Sequence, residues 1–223
     1  MYQAGGAWVL ILYSYLDDGT PTWFLGANAK PAGNNGSWTV PLYRNTWDGD
    51  SPIARQVGEA TVTALDNQRM MLTTTIDGEV ASQNMLRVDS GACPVGDGGP
   101  LHLSATWFPP SESGYGFSVI ALPDAEVTAA YFYDDKGMPR WAIGSASPFG
   151  TSTLPMTVFT GGSCLSCDYQ AATGHAAGEY VRSYTVDGSS GHAELNITLP
   201  TPLSGHWQTE ADIIPLTESS VCQ

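Results

Sequence analysis

The residues with the clearest chemical potential are two cysteines separated by two residues, Cys164-Leu-Ser-Cys167. Such a pair can form a disulfide, exchange thiols or bind a metal. A redox pair needs its first cysteine at a helix N-terminus, and the following residues, Asp168 to Gly174, form a poor helix. A zinc site would have to recruit His175 and His192, which lack compact ligand spacing. We therefore predict a structural disulfide.

Two further cysteines, Cys93 and Cys222, give an even count, which is typical of an exported protein. Three pairings are open, and we favour a bond from Cys222 to Cys164 or Cys167. Cys93 would then pair with the other member of the motif or stay free. The predicted location is extracellular or periplasmic, and any export signal is expected to have been removed, because no basic-then-apolar segment begins the chain.

Side chains that could support hydrolysis are scattered. The histidines follow no metal-binding spacing, and no serine lies in a Gly-x-Ser-x-Gly elbow. A glycoside hydrolase needs two carboxylates, which Glu112, Glu126, Glu179 or Glu194 could supply. In a chain with 22 acidic residues such pairs arise by chance, and an exposed Glu on a strand is usually solvated. We predict no catalytic residue, and an enzyme is the less favoured class.

Paired aspartates occupy matching turns, Asp17-Asp18-Gly19 and Asp134-Asp135-Lys136-Gly137. Carboxylates and turn carbonyls are the ligands that Ca²⁺ prefers, and Trp47-Asp-Gly-Asp50 is a further candidate. Asp and Gly are also the usual residues of hairpin turns, and no EF-hand spacing is present. We predict no metal ligand and no cofactor, with calcium as the alternative.

The aromatic residues give the strongest functional prediction. Trp23 and Trp141 recur beside tyrosines on adjoining strands, and an outward-facing set would form a platform on which sugar rings stack. The alternative, which we favour for these two tryptophans, is that they fill a core. Trp38, Trp47, Trp107 and Trp207 are not duplicated and are better suited to lining a specific site. The predicted ligand-binding residues are Trp23, Trp141, Tyr15, Tyr133, Trp47 and Trp107.

The aromatic motif occurs twice, at an offset of 118 residues: Tyr13-Ser-Tyr-Leu-Asp-Asp-Gly-Thr-Pro-Thr-Trp-Phe-Leu-Gly26 returns as Tyr131-Phe-Tyr-Asp-Asp-Lys-Gly-Met-Pro-Arg-Trp-Ala-Ile-Gly144. The tyrosines, proline, tryptophan and glycines stay in register, so we expect a duplicated β-rich unit. The predicted boundaries are 1–95 for the first unit, 96–100 for a linker and 101–223 for the second unit.

Alternation and turn residues predict the strands. The second unit has eight, at 103–108, 116–122, 127–133, 140–145, 154–159, 180–186, 193–199 and 206–216. The first unit has six, at 7–16, 21–27, 37–43, 54–65, 69–76 and 80–88. No long helical period appears, so the predicted fold is all-β, with two tandem related antiparallel β-barrel or sandwich units.

The first unit lacks its opening strands, because nothing in it matches Leu101 to Phe117. A sheet without a strand exposes unpaired backbone groups. We expect the gap to be filled by the other unit, by a neighbouring molecule, or by residues outside this sequence.

Charge excludes some partners. Eight Lys and Arg stand against 22 Asp and Glu, a formal charge of -14, so the surface repels phosphate backbones and anionic lipids. Nucleic acid is not an expected partner. No apolar run approaches the roughly 20 residues needed to cross a bilayer, so no membrane span is predicted.

The segment Ser104-Ala-Thr-Trp-Phe-Pro-Pro-Ser-Glu-Ser-Gly-Tyr-Gly-Phe117, followed by Tyr131 to Trp141 and a terminal cysteine, resembles a tryptophan- and glycine-rich repeat of exported proteins from Gram-negative bacteria. The resemblance covers nearly all of the second unit and the first from about Tyr13 to Cys93, and it implies an exported β fold without a settled activity. Thr106-Trp-Phe108 also faintly resembles the first strand of avidin-type barrels.

Three functions follow in order of preference. The first is a non-catalytic exported β-protein that binds a carbohydrate or another surface or matrix ligand through aromatic residues. The second is a structural subunit that self-associates by strand complementation. The third is a glycoside hydrolase with paired carboxylates.

Overall fold

The structure, a computed structural model, describes residues 1–31, 36–88, 92–96 and 98–219, and its regular elements are all β-strands. The predicted all-β class is confirmed. In these residues there is no helix long and apolar enough to cross a membrane. Strands β1 to β7 form one antiparallel sheet: β1 Tyr2–Ala4, β2 Ala7–Tyr15, β3 Pro21–Ala29, β4 Ser37–Trp47, β5 Pro52–Ala64, β6 Arg69–Ile76 and β7 Glu79–Leu86.

The second half of the chain forms a closed eight-stranded barrel. Its strands are β10 Ala105–Phe108, β11 Gly116–Leu122, β12 Ala125–Tyr133, β13 Pro139–Ala146, β14 Thr153–Thr160, β15 Thr173–Tyr184, β16 Gly191–Thr198 and β17 His206–Pro215. Closure comes from β10, which pairs with β11 on one side and β17 on the other. All eight predicted strands are present, although β15 begins seven residues earlier than expected.

The first sheet is open between β1 and β7. It has one strand more than predicted, because Tyr2–Ala4 pairs with the start of β2. Within the described residues no strand takes the position that β10 has in the barrel, and the outer edge of β1 receives a single bridge, from Glu218 to Gln3. Two short strands, β8 Val95–Gly96 and β9 Gly99–Pro100, pair with each other and lie between β7 and β10 in the sequence.

The strands of the duplicated motif are buried on both faces. In β2, Leu10 and Leu12 belong to the core of the open sheet, whereas Ile11 and Tyr13 pack on the opposite side. In β12, Phe132 lies in the barrel core and its neighbours pack outside it. Because successive side chains of a strand point to opposite faces, a continuous apolar run indicates two covered faces.

Both sheets carry a β-bulge at corresponding places. One lies opposite Leu42 and Tyr43, and the other opposite Met156 and Thr157. Each is adjoined by a glycine with no room for a side chain: a Cβ on Gly58 would lie 1.7 Å from the carbonyl oxygen of Thr75. Bulges bend a strand and increase its twist, which curls both sheets.

The cysteine pair forms a disulfide, with Cys164 bonded to Cys167. The expected bond from Cys222 to either of them is therefore wrong, because both sulfur atoms are already used. Cys222 itself lies outside the described residues. Cys93 is also disulfide-bonded, so the expectation that it stays free or bonds to the motif is wrong as well.

Candidate ligand-binding site

The duplicated aromatic residues form the contact between the open sheet and the barrel. Four are buried, Trp23, Tyr131, Tyr133 and Trp141, with exposed fractions between 1% and 9%. We call this group, with the residues that pack on it, the interface cluster; Tyr13, Tyr15, Trp47 and Trp207 are among the half-buried members. The predicted alternative of core filling is what the structure shows for Trp23 and Trp141.

The indole hydrogen bonds of the interface cluster are reciprocal. Nε1–H of Trp23 donates to the carbonyl oxygen of Phe132 at 3.2 Å, and Nε1–H of Trp141 donates to that of Ser14 at 3.0 Å. Ser14 and Phe132 occupy matching positions in the two motifs. Buried indole N–H groups need a partner, and here each finds it in the backbone of the other half.

Backbone contacts repeat this reciprocity at the hairpin turns. The N–H of Gly161 donates to the carbonyl of Gly19, and the N–H of Trp47 donates to that of Gly137, both at 2.8 Å. The two turn glycines have φ of 76° and 71°. Because a side chain on Gly137 would meet the Trp47 carbonyl at 1.8 Å, the turns need glycine for conformation and for space.

The predicted platform for a sugar ring is not exposed. Trp23, Trp141 and Tyr133 lie inside the interface cluster, Tyr15 is T-shaped against Trp141 at 5.7 Å, and Trp47 stacks on Tyr133 at 5.7 Å. Trp107 is fully buried in the barrel, where its Nε1–H donates to the carbonyl oxygen of Leu103. In the two motifs, the strands present Trp23, Trp141 and Tyr133 to the other half of the molecule and not to solvent.

The carboxylates considered for glycoside hydrolysis do not line the cavities of the open sheet. Glu126 is buried and forms an ion pair with Arg182 at 2.6 Å. Glu112 accepts a hydrogen bond from the Tyr115 hydroxyl at 2.7 Å. Glu179 and Glu194 are exposed, on β15 and β16. Glu179 and Glu194 share the exposed face of adjacent strands, where Glu179 pairs with Asn196 and Glu194 with Val181, and none of the four lines a cavity of the open sheet.

Two of the turn aspartates considered for calcium, Asp134 and Asp48, are hydrogen-bonded within their own turns. Asp134 accepts hydrogen bonds from the N–H groups of Lys136 and Met138 and pairs with Arg140 at 2.7 Å. Asp48 accepts from the two N–H groups that follow Gly49. These bonds hold the carboxylates in hairpin geometry.

The residues considered for zinc lie apart. Cys164 and Cys167 are bonded to each other and offer no thiolate. His175 bonds to Thr160, and His192 lies beside Asp212 at 3.0 Å. His192 does approach Glu194 and Glu210, but these three side chains lie on the outer face of β16 and β17.

A cavity of 740 Å³ opens at one end of the first sheet. Its lining includes Trp8, Trp38, Met70 and Met85, which come from four different strands. The two indoles meet edge to face at 5.7 Å, and Trp38 is fixed because its Nε1–H donates to the carbonyl of Ala29 at 3.1 Å. A concave apolar surface with a few fixed polar groups is the usual form of a ligand site.

The rim of this cavity is basic in an acidic protein. Lys30, Arg69 and Arg87 line it, which is three of the chain's eight Lys and Arg residues. The ammonium of Lys30 lies 5.9 Å from the centre of the Trp8 ring. Asp66 is the one acidic side chain among the described lining residues, and Arg69 pairs with it at 2.7 Å. The local charge therefore favours an anionic group.

A smaller cavity of 560 Å³ lies at the other end of the same sheet. The disulfide loop covers it, because Leu165 packs on the core of the open sheet and its carbonyl accepts a hydrogen bond from Gln83. Arg44 and Asp77 form an ion pair in its wall at 2.9 Å. The disulfide thus holds a loop of the second half against the interior of the first.

Comparison with known proteins gives no relatives: no family model, curated protein or solved structure matches this chain. The larger cavity is therefore identified as a candidate ligand site from its geometry and lining residues alone. Of its lining residues, Trp38 was noted in the sequence as suited to a specific site, whereas Trp8, Met70 and Met85 were not. The feature that these three residues share in the sequence is a position near the end of a strand.

Proposed function

We propose that this chain is a non-catalytic, exported β-protein that binds a ligand in the 740 Å³ cavity of the open sheet. The observation that carries the proposal is the pair of indoles, Trp8 and Trp38, at the mouth of an apolar interior. As in the prediction from sequence, aromatic residues bind the ligand. The residues proposed here are Trp8 and Trp38 of the cavity, in place of Trp23 and Trp141. Apolar lining favours a ligand with an apolar body over a bare sugar.

The proposal also includes export of the protein and a common origin of its two halves. A Cys164–Cys167 disulfide is expected in an oxidising compartment, and an acidic surface suits an extracellular or periplasmic protein. The reciprocal indole bonds and the corresponding bulges support two related units derived from one ancestral sheet. On this view the chain is one of the tryptophan- and glycine-rich repeat proteins that its sequence resembles.

Binding of anilinonaphthalene sulfonate tests the cavity directly, because this probe joins an aromatic body to an anionic group. We expect saturable binding to one site, weakened about tenfold or more in Trp8→Ala, since roughly 1.4 kcal/mol of lost ring contact corresponds to that factor. Trp47→Ala is the matched control, because Trp47 is also half-buried but lies outside the cavity. Equal weakening by both variants, or binding only to partly unfolded protein, would rule the site out.

A structural subunit that self-associates through strand edges is the second candidate. It is favoured by the outer edge of β7, which pairs with no other strand of the described chain. Val80 and Leu86 on this strand are 65% and 71% exposed. Light scattering across a wide concentration range is the test, and a strictly monomeric protein would count against it.

A further inference from the structure

The disulfide loop brings its two cysteines against an aspartate of the other half of the chain. Cys164 and Cys167 belong to the connection between β14 and β15, and Asp17 lies in the turn between β2 and β3. A carboxylate oxygen of Asp17 and the two sulfur atoms all lie within 4.8 Å of one another. No spacing rule could find this third residue, because it is remote from the cysteines in sequence.

Contacts outside the disulfide hold the loop in this place. The N–H of Gly161 donates to the carbonyl of Gly19 at 2.8 Å. A Cβ on Gly162 would lie 2.3 Å from the ring of Tyr15, so the loop begins directly against β2. Leu165 packs on the core of the open sheet. Because none of these contacts involves a sulfur atom, we expect the cysteines to stay beside Asp17 when their bond is reduced.

The three side chains are suitable zinc ligands once the sulfur atoms are thiolates. Two cysteines separated by two residues supply half of many tetrahedral zinc sites, and a carboxylate is an accepted further ligand. With Zn–S of about 2.3 Å and Zn–O of about 2.1 Å, the ligand atoms of such a site lie roughly 3.5 Å apart. Both Asp17 and Cys167 are exposed, so small side-chain rotations can bring the three ligand atoms to this spacing.

The surroundings favour a cation. Within the described residues the carboxylate of Asp17 accepts no hydrogen bond, whereas that of Asp18 accepts the N–H of Thr20 at 2.9 Å. The neighbouring cavity of 560 Å³ is acidic, because its described lining has one guanidinium, of Arg44, and four carboxylates: Asp17, Asp18, Asp77 and Glu79. A cleft lined mainly by one sign of charge concentrates ions of the opposite sign.

Reduction of the disulfide is a thiol–disulfide exchange with a dithiol. The first thiolate of the dithiol attacks Sγ of Cys167, which is exposed, whereas Cys164 is 7% exposed. Cys164 leaves as a thiolate, and the dithiol is joined to Cys167 in a mixed disulfide. The second thiolate of the dithiol then displaces Cys167. The chain gains two electrons, and the dithiol becomes the disulfide.

We propose that the reduced chain binds one zinc ion through the thiolates of Cys164 and Cys167 and the carboxylate of Asp17. Each thiol releases its proton as its sulfur atom binds the metal, and binding transfers no electron. Asp17 and Cys164 line the 560 Å³ cavity, so the fourth position of the ion is open to water on that side. The disulfide and the zinc site are alternative states of the same cysteines. This site is separate from the 740 Å³ cavity and goes beyond the proposed function.

The test uses the whole protein and Co²⁺, a spectroscopic substitute for Zn²⁺. Limiting dithiothreitol is added until Cys164 and Cys167 react with an alkylating reagent, as identified by peptide mapping. We expect this reduced protein to bind one Co²⁺ with thiolate-to-cobalt charge-transfer absorption, and the oxidised protein to show none. Zn²⁺ should displace the cobalt and shield both thiols from alkylation. A reduced protein without this absorption would overturn the proposal.

Asp17→Asn and Asp18→Asn are the matched variants, because each removes one carboxylate from the same turn. Since even an outer-shell partner of a metal ligand is worth about 10–100-fold in affinity, Asp17→Asn should bind at least about tenfold more weakly. Asp18→Asn should bind as the wild type does. Equal binding by both variants, as expected of an unfolded chain that uses its cysteines alone, would overturn the site.

The cysteine variants separate the motif from the other disulfide of the chain. Cys164→Ser should abolish the charge-transfer absorption expected for two thiolates. Cys93→Ser should keep it, because Cys93 is disulfide-bonded elsewhere. A signal that survives Cys164→Ser and disappears in Cys93→Ser would show that the metal is bound by other thiols, and the proposal would be wrong.

Discussion

The ion pair between Glu126 and Arg182 is enclosed by the barrel. Two nitrogens of the guanidinium reach the two carboxylate oxygens, at 3.0 and 2.6 Å, and Thr128 donates a further hydrogen bond to Glu126. The two side chains are 1% and 3% exposed. A buried pair contributes little net stability, but removing one member leaves an uncompensated charge.

Replacing the cation is therefore expected to be costly. Arg182→Met should lower the free energy of unfolding by about 3–5 kcal/mol, because Glu126 stays buried without its partner. Urea denaturation measures the change, and adding Glu126→Gln should recover part of it. Arg69→Met is the control, since its pair with Asp66 is solvent-exposed and should contribute at most about 1 kcal/mol. Similar losses in both single variants would contradict the predicted role of burial.

Among the histidines, His192 is the one for which the structure predicts a shifted pKa. A hydrogen bond to Asp212 raises its pKa above the ordinary value of 6.5. The proton is held more tightly in the folded state, so the stabilisation is complete below about pH 6.5 and is lost as pH rises through the folded pKa. NMR titration of the wild type and of Asp212→Asn tests this, and the variant should titrate at lower pH. An unchanged midpoint would show that Asp212 is not responsible.

At the scale of elements, the paired hairpins should depend on each other. Trp23→Ala and Trp141→Ala should each destabilise the protein by about 3–5 kcal/mol, because each removes a buried ring and a hydrogen bond to the other half. Denaturant unfolding gives the values. Tyr169→Ala is the control, because Tyr169 is 90% exposed and should have little effect. A large difference between the two tryptophan variants would argue against their equivalent roles.

The strands could be predicted from sequence because their alternation is local. β1 was missed since three residues are too few to show a period, and the start of β15 was missed because Thr173 to Gly178 lacks apolar alternation. Alternation also shows which side chains share a face, but not what covers that face. This is why core filling could be favoured for Trp23 and Trp141 from the sequence, whereas their burial against the other half of the chain could not be predicted.

The candidate site could not be predicted in the same way. Trp8, Trp38 and Met85 are far apart in sequence, and each belongs to a different strand. They meet because the sheet curls and remains open between β1 and β7. No spacing rule connects such residues. For the Cys164-Leu-Ser-Cys167 motif the sequence predicted a structural disulfide, but with Cys222 as the partner and not within the motif, where the bond lies.

For the molecule as a whole, alkaline pH should loosen the contact between its halves. Burial raises the pKa of Tyr13, Tyr131 and Tyr133 above the ordinary value of 10.0. The folded state therefore retains protons that the unfolded state loses, and the stability falls as pH rises above about 10. Ultraviolet titration should show these tyrosines ionising together with unfolding, monitored by circular dichroism. Their ionisation near pH 10 in the folded protein would contradict the described packing.

The reciprocal indole bonds end on main-chain carbonyls, so this recognition does not depend on which side chains stand at Ser14 and Phe132. A contact in which both sides donate and accept equivalent hydrogen bonds is called isologous, and it is the kind of contact found in symmetric dimers. Within one polypeptide, the two hairpins thus meet through equivalent donors and acceptors in both directions.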